Sequence, residues 1–181
     1  MTISPGMHKL GPGDSTLKVN TYREGVAAKV GHDLVLAVKS WDATVEVGPD
    51  NALTSVTLNA DPGSLEVESG EGGAKPLTDK DRADIKKSIS DKVLGSDPIT
   101  FQSSAASIDG SGKLHAEGEL SIAGKSRPGS FDLTAGQDGA VSGTIQLTQS
   151  DYGIKPYKAM MGALKVRDSV DIVLDAKLPA G

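Results

Sequence analysis

The longest β-prone run of the chain covers residues 25–47 and sets the expected fold. Six of its residues are valines, and only Gly31, His32 and Asp33 interrupt the run. β-Branched and aromatic side chains favour a pleated, half-buried surface, and a glycine inside such a run marks a bend or a bulge. We therefore predict two long antiparallel strands at the start of a sheet, with a corner at Gly31.

A period-two alternation of apolar and polar residues returns along most of the chain. Short segments rich in Gly, Asp, Asn and Pro separate these runs. Short connections between strands imply antiparallel neighbours. The further predicted strands cover residues 17–22, 53–60, 64–68, 99–107, 113–122, 125–133, 140–149 and 170–178.

One segment has the period of a helix instead. Ile85, Ile89 and Val93 recur at every fourth position, and Thr78 stands before two aspartates in a position suited to a helix N-cap. A glycine and a proline follow the last apolar residue and favour termination. We predict one α-helix over residues 79–94, packed against one end or one side of the sheet.

Together these elements predict a mainly β fold, an antiparallel closed β-barrel of about eight strands. A flexible N-terminal lead-in of residues 1–14 precedes a single domain of residues 15–181. Closing the sheet removes its exposed strand edges, and an eight-stranded barrel is wide enough for one slender ligand. Since the inward positions are mostly Ala, Gly, Val, Leu and Ile, we expect an apolar lumen.

Composition and charge reduce the classes of binding partner that the chain is expected to have. A length of 181 residues fits one domain, and the net charge of −5 comes from interspersed charges of both signs. This argues against a nucleic-acid partner and against docking on an anionic membrane. No cysteine is present, which excludes disulfides and zinc–thiolate sites. Without an apolar stretch of leader or membrane-spanning length, we expect a soluble, cytoplasmic chain with no stable membrane insertion; a removed leader would instead imply export.

Four segments carry a resemblance to the YceI-like family. Their order and spacing are similar over about residues 15–178. The segments are KVL…DPITFQS in residues 92–103, GELSIAGKSRP in residues 118–128, TQSDYGI in residues 148–154 and VRDSVDI in residues 166–172. Three features depart from the family pattern. Gln149 stands where the family usually has Arg, and Tyr152 where it usually has Phe. The first hairpin is shorter and carries GHDL in residues 31–34 instead of the family's common opening.

The resemblance implies an extended lipocalin-like barrel that binds, transports or sequesters a long apolar lipid without catalysis. In characterised relatives this is an isoprenoid, either a quinone or a polyprenyl chain. It implies no other cofactor and is compatible with a homodimer. We expect the ligand at lumen and mouth positions, namely His32, Leu34, Leu36, Val38, Phe101, Leu120, Val141, Ile145, Leu147, Tyr152, Met160, Met161 and Ile172.

Several of these positions have two interpretations. His32 and Asp33 are neighbours on a strand and face opposite sides, so they either anchor a head group or form a polar corner. Tyr152 either contacts the head group or plugs the barrel, and the flexible Met160 and Met161 form either a lid or an ordinary loop. The three histidines lack the spacing of a metal site.

Two other classes of function stay open. One is a small hydrolase or isomerase that uses His32, although no nucleophile-elbow motif occurs. The other is an interaction module whose barrel is filled by its own side chains. Trp41 is expected in the core or at a subunit contact.

Overall fold

A computed structural model describes residues 3–179 of the chain. Its regular structure is mainly β, as predicted. The strands are β1 (Gly6–Leu10), β2 (Thr16–Thr21), β3 (Arg23–Glu24), β4 (His32–Val38), β5 (Trp41–Val47), β6 (Leu53–Ala60), β7 (Leu65–Gly72), β8 (Ile99–Ile108), β9 (Lys113–Ile122), β10 (Lys125–Ala135), β11 (Ala140–Thr148), β12 (Lys158–Ala159), β13 (Leu164–Val166) and β14 (Ser169–Lys177).

The α-helix, α1, covers Asp79–Ser88 and begins at the predicted N-cap. The Thr78 side chain accepts a hydrogen bond from the backbone of Asp81, and the Asp81 carboxylate accepts one from the backbone of Thr78. This reciprocal capping satisfies two N–H groups that the first turn cannot pair internally. A wider π-type turn over Ile89–Leu94 continues the helix, so the predicted segment is helical throughout but changes its winding after Ser88.

Eleven strands form one antiparallel sheet in the order β1-β5-β6-β8-β9-β10-β11-β14-β2-β4-β7. The sheet is strongly curled into a half-barrel, but no hydrogen bonds join its end strands β1 and β7. The predictions of a barrel closed by pairing and of about eight strands were therefore both wrong. Helix α1 lies beside the end strand β7, where the Arg82 guanidinium donates to the carbonyl of Val67 and Lys86 pairs with Glu66.

The connection between β4 and β5 is one of those that join the two ends of this sheet, and another runs from β6 to β7. β4 and β5 follow each other with only Lys39 and Ser40 between them, yet β4 pairs with β2 and β7, whereas β5 pairs with β1 and β6. At the corner, the backbone N–H of Lys39 donates to the carbonyl of Ser64 over 3.1 Å, and that of Asp61 donates to Ser40 over 2.9 Å. We call the boundary between the end strands β1 and β7 the seam. The covalent chain crosses this seam, and no strand ladder does.

This corner corrects the interpretation of residues 25–47. The two predicted strands are present as β4 and β5, but they do not pair with each other. Residues Ala28–Val30 form a 3-10 turn, and Gly31 precedes β4 instead of bending a strand. The Leu164 side chain lies where a Cβ of Gly31 would be, which explains the need for glycine better than a bend does. Periodicity shows that both segments are extended, but it does not reveal which strands they pair with.

The start of the chain also departs from expectation. The sequence predicted a flexible lead-in over residues 1–14, but β1 pairs with β5 along its whole length, from Gly6 with Val47 to Leu10 with Ala43. The His8 ring donates to the carbonyl of Ser4 over 2.6 Å. The sheet supplies backbone partners that a weakly patterned segment cannot show in isolation. Residues 1 and 2 lie outside the described part of the chain.

A small second sheet lies at one end of the half-barrel. β13 pairs with β12 on one side and with β3 on the other. The backbone N–H of Arg167 donates to the carbonyl of Tyr22 over 2.8 Å and ties this sheet to the large one. We call this end, where β3 and the start of β4 lie, the mouth. The opposite end holds the buried Leu114, Val141 and Leu178.

Candidate functional site

The curled sheet encloses an apolar cavity of about 890 Å³. Period-two alternation turns every second side chain of a strand to the same face, so the inward residues form its lining. Between the strands, α1 and its π-type turn contribute Ile85, Ile89 and Leu94. A cavity of this volume is typical of small-molecule sites, which are mostly apolar with a few polar groups. The lumen is therefore not filled by the protein's own side chains.

The structure places most of the predicted ligand positions on this lining. Those that line the cavity are His32, Leu34, Leu36, Val38, Phe101, Leu120, Val141, Ile145, Leu147, Tyr152 and Ile172. Met160 and Met161 do not, and they lie in an exposed 3-10 turn after β12, with 60% and 107% of their surface accessible. Both have positive φ angles, a left-handed turn conformation that is uncommon for residues other than glycine. Neither methionine lines the cavity, so no contact in the structure supports the interpretation of these two residues as a lid.

The sequence pattern missed part of the lining. Trp41 is 5% exposed and lines the cavity, and its indole Nε1 has no hydrogen-bond partner among the described residues. Leu10 of β1 also lines the cavity, because the segment expected to be a lead-in is a strand. The apolar residue at every fourth position of the helix was the sequence signal for Ile85 and Ile89. This spacing shows which face of the helix is apolar, but it does not show whether that face lines a cavity or packs in a core.

Polar groups at the mouth are largely engaged with the protein. The His32 Nε2–H donates to the carbonyl of Lys75 over 2.7 Å. The Asp33 carboxylate accepts from the backbone N–H of Arg23 over 2.9 Å, and the Arg23 guanidinium donates to the carbonyl of Gly31 over 2.5 Å. His32 and Asp33 thus make separate contacts, and the geometry fits the polar corner. No described hydroxyl or thiol contacts His32, so a nucleophile–base pair is not formed there.

A window opens through the wall between β10 and β11. These strands pair only at one end, through Thr134 with Ser142 and Ala135 with Val141, while β10 pairs with β9 along nearly all of its length. Ser130 and Gln146 alternate with the inward residues and lie on the outer face, yet both line the cavity. The cavity therefore reaches the outer surface between them.

A 3-10 turn over Gln149–Tyr152 lies across the mouth side of this window. The Arg127 guanidinium of β10 donates to the carbonyl of Asp151 over 3.1 Å and connects the turn to the strand. Gln149 is buried and donates to the carbonyl of Arg167 over 2.9 Å. Tyr152 packs in a small cluster with Ile122 and Ile154. Burial raises the pKa of the Tyr152 hydroxyl, Arg127 opposes that shift and Asp151 adds to it.

A charged cluster on the outer face is separate from the cavity. The His115 ring lies between two carboxylates, with Nδ1 2.6 Å from Asp132 and Nε2 3.1 Å from Glu117. Both ring nitrogens can donate only when the imidazole is protonated. The hydrogen bonds to Asp132 and Glu117 raise the pKa of His115 above its usual value. Both ring nitrogens of His115 are therefore engaged by carboxylates.

This cluster predicts a pH dependence of stability. The pKa of His115 is higher in the folded chain, so its stabilising effect is complete below the unfolded pKa of about 6.5 and is lost as pH rises through the folded value. We expect the fall in melting temperature over this window to be smaller in His115→Gln. Thermal unfolding between pH 5 and 9, with an NMR titration of His115, measures it. A folded-state pKa at or below 6.5 would contradict the assignment.

Residues 3–179 lack two further features. No helix in this part of the chain has the length and apolar character needed to cross a membrane. No group of three His, Asp or Glu side chains among these residues is arranged to hold a metal ion.

Comparison with known proteins agrees with this architecture. The structure is similar to that of BcnA from Burkholderia cenocepacia, with a TM-score of 0.64 and 20% identity over 89% of this chain and 94% of that one. It is also similar to the YCEI protein of Campylobacter jejuni, with a TM-score of 0.50 and 13% identity over 84% and 85% of the two chains. A mutant CJ YCEI protein gives a TM-score of 0.55 at 14% identity, covering 84% of this chain and 85% of that one.

At these identities the similar structures establish the fold alone. No curated protein matches the chain closely in sequence. The YceI-like domain, in contrast, matches residues 17–178, which include the large sheet except for β1 and the first residue of β2. This match confirms the resemblance that the four segments carry, and the chain belongs to the YceI-like domain family.

Proposed function

We propose that the protein binds a long apolar molecule in its lumen and transports or sequesters it without catalysis. The observation that carries this proposal is the cavity of about 890 Å³ lined mainly by aliphatic side chains. Removal of apolar surface from water contributes about 25 cal/mol per Å², so an extended hydrocarbon chain would gain most of its affinity from this lining. Few polar contacts are needed beyond those that orient the polar end.

The class of ligand proposed is an isoprenoid, such as a quinone or a polyprenyl chain. Support comes from membership of the YceI-like family together with the shape of the cavity. Methyl-branched chains suit a lining made mainly of Leu, Ile and Val, to which Phe101 and Phe131 add two rings with centroids 4.8 Å apart. Binding of an isoprenoid and the absence of catalysis are both part of this proposal, as is a homodimer.

Extraction of the purified protein tests the proposal directly. We expect organic extraction followed by mass spectrometry to yield a prenyl lipid in near-stoichiometric amount, and native mass spectrometry to show the corresponding mass on the intact chain. A second test adds prenyl quinones to the apo protein and measures its melting temperature, because a ligand that binds only the folded state raises it. If only the apo mass is found, and no quinone or polyprenol raises the melting temperature, the proposal fails.

A further inference from the structure

Most polar side chains around the mouth already have partners within the protein. The His32 ring donates to Lys75, the Arg23 guanidinium donates to Gly31, and the Gln149 amide donates to Arg167. A ligand that recruited these donors would have to displace an existing hydrogen bond. These donors therefore stabilise the mouth and are not free to hydrogen-bond a ligand.

Tyr152 differs from these side chains. It is only 7% exposed and lines the cavity, and its hydroxyl makes no hydrogen bond to any residue of the described chain. The indole nitrogen of Trp41 is also without a partner, but protein atoms cover it completely, whereas the Tyr152 oxygen is not among the covered atoms. The Tyr152 hydroxyl is therefore accessible and has no protein partner, so an acceptor that reaches it from the cavity would gain a hydrogen bond without displacing an existing one.

Charged groups of both signs lie near Tyr152. The Arg127 guanidinium and the Asp151 carboxylate act on its pKa in opposite directions, and burial raises that pKa. The hydroxyl consequently stays protonated and available as a donor at neutral pH. Gln149, in the same turn, is neutral. These surroundings offer a hydrogen-bond donor without a net positive charge, which favours an uncharged acceptor over a carboxylate or a phosphate.

We propose that Tyr152 is a specificity-determining residue whose hydroxyl donates a hydrogen bond to an uncharged acceptor oxygen, such as a carbonyl, on an apolar ligand. This inference rests on the proposed function. It places the oxygen-bearing part of the ligand at the window between β10 and β11, where Ser130 and Gln146 also border the cavity. The hydrocarbon part then occupies the aliphatic lining beyond it. A hydrophobic pocket alone discriminates weakly, whereas a buried donor rejects a ligand that leaves it unpaired.

Two fluorescent probes separate this inference from general apolar binding. Diphenylhexatriene is a pure hydrocarbon, and Laurdan carries a ketone between a lauroyl chain and its naphthalene ring. We expect Tyr152→Phe, which keeps the ring, to weaken Laurdan binding about tenfold and to shift its bound emission to the blue, with diphenylhexatriene binding unchanged. Tyr22→Phe is the matched control, since the Tyr22 hydroxyl contacts Asp171 at 2.6 Å and the residue does not line the cavity.

The outcomes distinguish two kinds of failure. If neither probe binds the wild-type protein, the proposed function itself fails. If both bind and Tyr152→Phe changes the two affinities equally or not at all, the role of Tyr152 is overturned while apolar binding stands. A third probe, cis-parinaric acid, tests the charge of the acceptor: a loss of affinity confined to this carboxylate would overturn the assignment of an uncharged oxygen.

Discussion

Replacing Gly118 by alanine is expected to destabilise the protein by about 3 kcal/mol, the upper range for overpacking a close-packed site. Gly118 faces inward on β9, beside the bulge in β8 between Ser103 and Ala105. A Cβ at this position would lie 2.1 Å from the carbonyl oxygen of Gln102 and 2.7 Å from the Cα of Ser103. Both are backbone atoms, so relief requires a shift of the strand itself and not a rotamer change.

The cross-strand partner of Gly118 provides a matched control. Gly129 of β10 pairs with it in register, but a Cβ there would lie 3.6 Å from the Cβ of Leu120, which is ordinary van der Waals contact. We expect Gly129→Ala to stay within about 0.5 kcal/mol of wild type, since a tolerated Gly→Ala change mainly reduces unfolded-state entropy. Urea unfolding measures both. Similar midpoints for the two variants would show that the β8–β9 contact is looser than the geometry indicates.

Filling the lumen is expected to remove ligand binding without loss of stability. Ile145 of β11 and Ile172 of β14 form a cross-strand pair, line the cavity and are only half-buried. Two tryptophans in their place would occupy the space that a ligand needs while gaining burial of their own. We expect Ile145→Trp with Ile172→Trp to weaken the binding of diphenylhexatriene by about tenfold to a hundredfold, or about 1.4–2.8 kcal/mol.

The control for this variant lies one position away on the same two strands. Thr144 and Val173 also pair in register, but the alternation turns them to the outer face. Thr144→Trp with Val173→Trp adds the same side chains outside the lumen and should leave probe affinity unchanged. Fluorescence titration and thermal unfolding of both variants measure binding and stability together. Equal loss of binding in the two variants would place the probe outside the cavity.

The sequence predicts local structure well here because the alternation of apolar and polar residues within each strand shows which face is buried. β6 and β9 have the predicted bounds, and the alternation identified inward residues such as Leu120 and Ile145 before any pairing was known. The helix start at Thr78 was also readable, since capping depends on neighbours within one turn. Such signals need no information about distant partners.

Features that depend on residues distant in the sequence, such as strand pairing, had no comparable local signal. The pairing of β4 with β2 and β7 instead of β5 depends on where the chain bends. It bends at Lys39 and Ser40, and although serine is common in turns, no glycine or proline marks this corner. The window depends on a ladder that stops after two residue pairs. β11 alternates throughout, but β10 alternates only over residues 131–135, after a polar stretch that contains Pro128 and Gly129. Tyr152 was identified as a candidate, but its unpaired hydroxyl becomes visible only when its neighbours are in place.

The corner between β4 and β5 allows the circumference of the lumen to change. In a barrel whose ends are paired, any widening breaks ladder hydrogen bonds or forces a change of register. Here no bonds join β1 to β7, and the seam is crossed by the covalent chain at Lys39, Ser40 and the segment from Asp61 to Ser64. A small change of angle at this corner alters the circumference while every strand ladder stays intact. Under the proposed function, we infer that ligands of different thickness could be enclosed without breaking a strand ladder.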